Sequence, residues 1–163
     1  MKKILIPISL LLVIAVGYIG LSHFSGGAFP TFGLPIGGAE AHLRSLTLQF
    51  WEDIQFKDFD KAASYHPPDK QDDVDIPYLI ERMFILKPEG LDIISYEIVF
   101  AEVDSSGRRA RVKTRVKVKN LVNNDINDRE IMLYYFRENQ DSAWYMKLES
   151  SLHELKGDKD KVH

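Results

Sequence analysis

The chain contains no cysteine in 163 residues. Disulfides, thiolate catalysis, cysteine metal sites and a lipid-modified N-terminal Cys are therefore excluded. If the domain is exported, its core alone must hold it together. A basic excess is also missing. The net charge of −3 argues against a general nucleic-acid binder, because such proteins draw affinity from Lys and Arg on phosphate. The sequence carries neither a glycine-rich phosphate loop nor a nucleophile elbow. His23, His42, His66, His153 and His163 are scattered, without metal-ligand spacing. Asp72, Asp73 and Asp75 lack the Gly and the distal Glu of a calcium-binding loop, so they read as a solvated acidic loop. No metal and no cofactor is expected. Internal repeats and low-complexity blocks are lacking too.

Long apolar runs are scarce except at the start. Lys2 and Lys3 precede Ile4 to Leu21, which is apolar apart from Ser9. A signal-peptide core spans about 7–15 residues and a membrane helix about 17–25. The run has membrane length, and Tyr18, His23 and Phe24 suit an interfacial belt. Residues 1–24 are read as a retained signal-anchor helix, with Ile4, Leu5, Leu10, Leu11, Leu12, Val13, Ile14, Val16 and Ile19 facing lipid. The two lysines place the N-terminus in the cytoplasm, which puts the remainder in a bacterial periplasm or outside. The alternative is cleavage after Gly20-x-Ser22 or Gly26-x-Ala28, which leaves a periplasmic domain.

Residues 25–38 are rich in Gly and Pro and read as a linker, although Phe29, Phe32, Leu34 and Ile36 are apolar for one. Ala39 to Gln55 places Leu43, Leu46, Phe50 and Ile54 at helical spacing, with Trp51 beside them. Asp58 is the expected N-cap of a short helix that stops before Pro67-Pro68, and Asp75 that of a third helix with Pro77 in its first turn. Four strands come next: Leu91–Val103, Arg109–Leu121, Arg129–Arg137 and Ala143–Leu152. Short connections make them antiparallel neighbours in sequence order. Ile94, Tyr96, Ile98 and Phe100 share one face of the first strand in this reading. Residues 39–152 form the domain, and 153–163 a charged tail.

The second strand alternates throughout. Ala110, Val112, Thr114, Val116 and Val118 face one side, and Arg111, Lys113, Arg115, Lys117 and Lys119 the other. The apolar side is expected under the helices. The cationic side is either a solvated face, partly neutralised by Glu97, Glu130 and Glu138, or a partner-binding face. The partner would be an acidic surface of another membrane-complex subunit, a second copy of the chain, or anionic lipid.

This α+β order resembles the nuclear-transport-factor-2-like superfamily, also called cystatin-like or steroid-isomerase-like. The echoes are Phe50-Trp51 in the first helix, Lys57 to Ala63 with its short second helix, and Trp144-Tyr145-Met146-Lys147-Leu148 in the closing strand. The resemblance implies three helices on a curved antiparallel sheet of at least four strands, forming a cone. It also implies that a carboxylate, a tyrosine or a histidine–carboxylate pair would do chemistry inside that cone, if any is done. Tyr65, His66, Asp75, Tyr78, Tyr96, Tyr134 and Tyr135 are the available groups. None has a spacing that demands catalysis, and His66 reads as a surface loop residue. Tyr65, Tyr96 and Trp144 would line a pocket if the cone holds one. The favoured function is a non-enzymatic, membrane-anchored accessory subunit of an envelope complex. A carrier of lipid or another small apolar ligand is the alternative, and a steroid-isomerase-like enzyme the second alternative.

Overall fold

In the computed structural model, residues 13–20 and 38–147 are described. Residues 13–20 are helical and mostly exposed, and Val13, Ile14, Val16 and Ile19 all lie open. Among the described residues no helix is long and apolar enough to cross a membrane. The rest of the expected anchor, the linker up to residue 37 and the tail lie outside the described residues.

Helix α1 runs Gly38–Gln55, one residue earlier than its apolar spacing alone indicates. Gly38 has φ +65°, a conformation glycine adopts without strain. Asp58 accepts from the Lys61 N–H and starts α2, Phe59–Ala63. Asp75 accepts from the Tyr78 N–H and starts α3, Ile76–Phe84, with Pro77 in the first turn. Each cap satisfies a backbone donor that would otherwise lack a partner. The buried face of α3 carries Ile76, Leu79, Ile80, Met83 and Phe84. Ile85 ends it in a left-handed conformation, φ +60°.

Four strands form one antiparallel sheet in sequence order: β1 Leu91–Val103, β2 Arg109–Asn120, β3 Ile126–Phe136 and β4 Tyr145–Met146. The third begins three residues before the expected Arg129. Ile126, Asn127 and Asp128 are too polar to signal a strand, yet they pair with Lys119, Val118 and Lys117. The expected fourth strand is described only over its first residues, since 148–152 lie outside.

Strand β1 departs from simple alternation. Its pairing slips between Ile93 and Ser95 and again between Ile98 and Phe100. Each slip inserts one residue, Ile94 then Val99, and reverses the facing of the residues after it. Ile94 is therefore exposed, and Phe100 stands opposite Lys113 on the outer face; only Tyr96 and Ile98 of the expected four lean on the core. Two bulges also roughen an edge strand against stray pairing.

Val112, Thr114, Val116 and Val118 are buried beneath the helices, as their alternation demands. Phe50 and Trp51 meet edge to face at 5.3 Å, and Trp51 meets Phe84 at 6.2 Å. With Ile131, Leu133, Tyr135 and Met146 from the far half of the sheet, these side chains fill the interior. Each fully buried large apolar side chain contributes about 1.5–3 kcal/mol.

Candidate functional site

The buried polar groups gather along α1. Asp53 lies on the helix's inward face, three residues after Phe50, and is only 4% exposed. Its two oxygens are both engaged. Lys61 Nζ of α2 donates to Oδ1 at 2.7 Å, and Tyr65 Oη donates to Oδ2 at 2.7 Å. Burial raises the Tyr65 phenol, and its hydrogen bond to Asp53 raises it further. The Asp53 carboxylate raises Lys61 in turn. Tyr65 therefore stays protonated as a donor to Asp53. The trio ties α1 to α2 and to the turn behind it, and Phe50 seats edge-on against the Tyr65 ring at 5.8 Å.

Toward the start of α1, Thr47 Oγ1 and Tyr135 Oη share a buried hydrogen bond of 2.7 Å. It pins the middle of α1 to the far end of β3. Burial pushes the Tyr135 phenol up, with the Thr47 bond opposing. Thr114 Oγ1 donates to the Ile131 carbonyl at 3.1 Å, which lets a hydroxyl replace valine inside the sheet. The buried carboxylate and hydroxyls are thus matched to other protein groups. Among the described residues two buried donors lack a hydrogen-bond partner, the Arg44 Nε–H and the Trp51 indole N–H. The Trp51 indole stands among the Phe50 and Phe84 rings, where no acceptor joins it to make a binding site.

Among the described residues Tyr65, Tyr96 and Trp144 each make separate contacts. Tyr65 is taken by Asp53, Tyr96 is half-buried opposite Val116, and Trp144 lies under the Arg137 guanidinium at 4.4 Å. The cleft between α1, α3 and the start of β1 is lined by other residues, including Ile54, Phe59, Ile80 and Leu91. Its volume is about 10 Å³, room for one water at most.

His66 corrects the sequence reading. It is 5% exposed rather than a surface loop residue. Tyr65 O accepts from the Met146 N–H at 2.8 Å, which draws the loop against β4. His66 Nδ1 lies 3.2 Å from Ala63 O, and its own carbonyl accepts from Gln71. Tyr78 is exposed beside Arg82, and Asp75 is a helix cap. Among the described residues no three His, Asp or Glu are placed to share a metal.

On the outer face the basic row is where alternation put it, and carboxylates flank it on both sides. Arg115 spans Glu97 on β1 at 2.7 Å and Glu130 on β3 at 3.0 Å. Lys113 pairs with Glu130, and Arg111 with Glu102 at 2.7 Å. Lys117 stands opposite Asp128, and Lys119 opposite Asp92. Lys113 first, then Arg115, hold the Glu130 carboxyl below the usual range. Glu97 and Glu130 serve as expected. Glu138 falls beyond the end of β3, and Glu102 takes up Arg111.

Sequence reasoning missed Asp53, Thr47 and Lys61. Their signal was an acid and a hydroxyl sitting on the inward stripe of an otherwise apolar helix face. No protein-family model matches the chain, and no curated protein matches it in sequence.

Proposed function

We propose that this chain is a non-enzymatic, membrane-anchored accessory subunit of a larger envelope complex, with its globular domain outside the cytoplasm. The observation that carries the reading is the filled interior. Phe50, Trp51, Ile131, Leu133, Tyr135 and Met146 occupy the space a ligand would need. The carboxylate and hydroxyls among them are spent on other protein groups. A protein so built works through its surface and its tether. The apolar run from Ile4 to Leu21 behind Lys2 and Lys3 supplies the tether. The order of three helices and an antiparallel meander supports the likeness to the nuclear-transport-factor-2-like superfamily, whose fold hosts both enzymes and interaction modules.

The test is native isolation. The tagged chain stays in the membrane pellet through carbonate washing, keeps the mass of an uncleaved N-terminus, and leaves detergent-solubilised membranes with defined partners in fixed proportion. Release by carbonate or a mass lacking the first 20 or so residues overturns the anchor. Recovery as a lone species overturns the subunit role.

A further inference from the structure

One end of the domain is apolar where water should meet it. Phe56, on the turn leaving α1, is 75% exposed, and Val122, on the β2–β3 turn, is 85% exposed. Leu121 and Ile126 beside Val122 are open as well. Hydrogen bonds bring these turns together. Gln55 donates to Ile93 O at the start of β1, and the Leu121 N–H donates to Gly90 O just before it. Ile85 is exposed three residues ahead of Pro88, in a left-handed conformation that β-branched residues avoid. A strained residue presenting an apolar side chain to water marks a surface with a use.

We infer that this end rests in the interfacial layer of the bilayer to which the chain is tethered, with Phe56, Leu121 and Val122 entering the acyl boundary. Three arguments select lipid over a second copy. The patch rests on a few side chains, Phe56, Leu121, Val122 and Ile126, where a standard stable interface takes roughly 20–30 residues per partner. Insertion of a few side chains into the bilayer interface needs no such number. Its rim carries three lysines, Lys57, Lys87 and Lys119, against four carboxylates, Asp58, Glu89, Asp92 and Asp125, so its charge comes within one of balance. Near-balance gives no preference for anionic headgroups, while the lysine stems can lie along the apolar surface and reach phosphates. The tether is also long enough. Thr47 on Tyr135 places the start of α1 toward the opposite end of the domain. Helix α1 has 18 residues, about 27 Å, and residues 25–37 can span up to about 43–47 Å.

This inference rests on the anchored reading, and one experiment separates their failures. The chain has no cysteine, so a single introduced thiol takes a fluorophore without background. Val122→Cys, Phe56→Cys and, at the opposite end, Ser105→Cys are labelled with nitrobenzoxadiazole in the full-length chain and reconstituted into phosphatidylcholine vesicles. Doxyl groups on the acyl chains quench the probes at 122 and 56 severalfold more than at 105. Adding phosphatidylglycerol or salt leaves that ratio unchanged. Probes at 122 and 56 as unquenched as at 105 overturn the inference. So does protection without lipid quenching, accompanied by energy transfer between copies, which marks self-association. If carbonate strips the chain from vesicles, the anchor reading fails; quenching measured before the wash still decides the bilayer contact. All three positions are exposed, so substitution leaves the fold intact.

Discussion

Removing the Asp53 carboxylate should unfasten α1 from α2, and the size of the effect is set by the groups around it. Tyr65 Oη and Lys61 Nζ both donate to Asp53 at 2.7 Å. Tyr65 is half-buried, so its hydroxyl regains only part of its hydration when the acceptor goes. Lys61 is 58% exposed at its side chain and turns to water freely. A hydrogen bond to a charged group contributes about 1.5–3 kcal/mol when shielded, and partial exposure trims the Tyr65 bond to about 1–2 kcal/mol. Asp53→Ala should therefore cost about 2–3 kcal/mol and Tyr65→Phe about 1–2 kcal/mol. The double variant should fall short of their sum by about 1 kcal/mol, because both remove the same bond. Lys61→Ala should change stability least. Urea unfolding read by Trp51 and Trp144 fluorescence measures all four, since both indoles are buried. Alkali supplies an independent limb. The folded Tyr65 phenol lies above its ordinary value of 10, so stability is full below pH 10 and declines as pH rises through it. Tyr65→Phe should flatten that decline. Additive costs in the cycle, or a Lys61→Ala loss as large as that of Tyr65→Phe, would refute the assignment of Asp53 as the tie between the helices.

Thr47→Val keeps the volume and strands the Tyr135 hydroxyl in a buried site, which should cost about 1–3 kcal/mol; the added change Tyr135→Phe should recover part of it in the same unfolding assay. Acid acts on the outer face. The Glu130 carboxyl is held below its usual value of 4.5, so the stability it contributes is present above pH 4.5 and fades as pH falls through the lower, folded value. Glu130→Gln should shift the acid unfolding midpoint upward in ionic strength low enough to leave the pair unscreened. Ile85→Gly relieves a β-branched residue at φ +60° and should raise stability in water by about 0.5–1 kcal/mol, while weakening lipid quenching at the neighbouring probes.

The fold was legible where one period ruled a segment. Arg109 to Asn120 alternates without interruption, and the structure buries Val112, Val116 and Val118 beneath helices whose caps, Asp58 and Asp75, were visible too. Legibility failed where facing depends on the neighbour strand. Nothing in Leu91 to Val103 announces an extra residue at Ile94 or Val99, because a bulge is set by the pairing of two strands and not by the composition of one. Ile126 to Asp128 reads as turn for the same reason: its pairing with Lys119, Val118 and Lys117 makes it a strand. His66 was misplaced because its burial comes from a backbone bond between Tyr65 and Met146, some eighty residues apart in sequence. The interior site was the least legible. A lone Asp on a helix face is common, and only the approach of Lys61 and Tyr65 turns Asp53 into a fastening point.

The basic row shows the same limit in charge. Along one strand it is five cations of one sign, and alone it would steer acidic partners. In the sheet it is the middle of three rows. Asp92, Glu97 and Glu102 stand on one side of it, Asp128 and Glu130 on the other, so five carboxylates face five cations. Fields from such alternating rows cancel within about a Debye length, roughly 8–10 Å at moderate salt. The field that survives outside is short-ranged and patterned, suited to fixing the register of a contact already made rather than to drawing a partner from a distance. The half of this face nearest the β1–β2 turn differs again. There Phe100 lies under Arg111, which keeps its ion pair with Glu102, Phe136 lies under Lys147, and Tyr145 tilts against Phe136, so rings join the ion pairs. A partner that reads this surface meets a neutral ionic half and an aromatic half, and a stripe of lysine and arginine in sequence foretells neither.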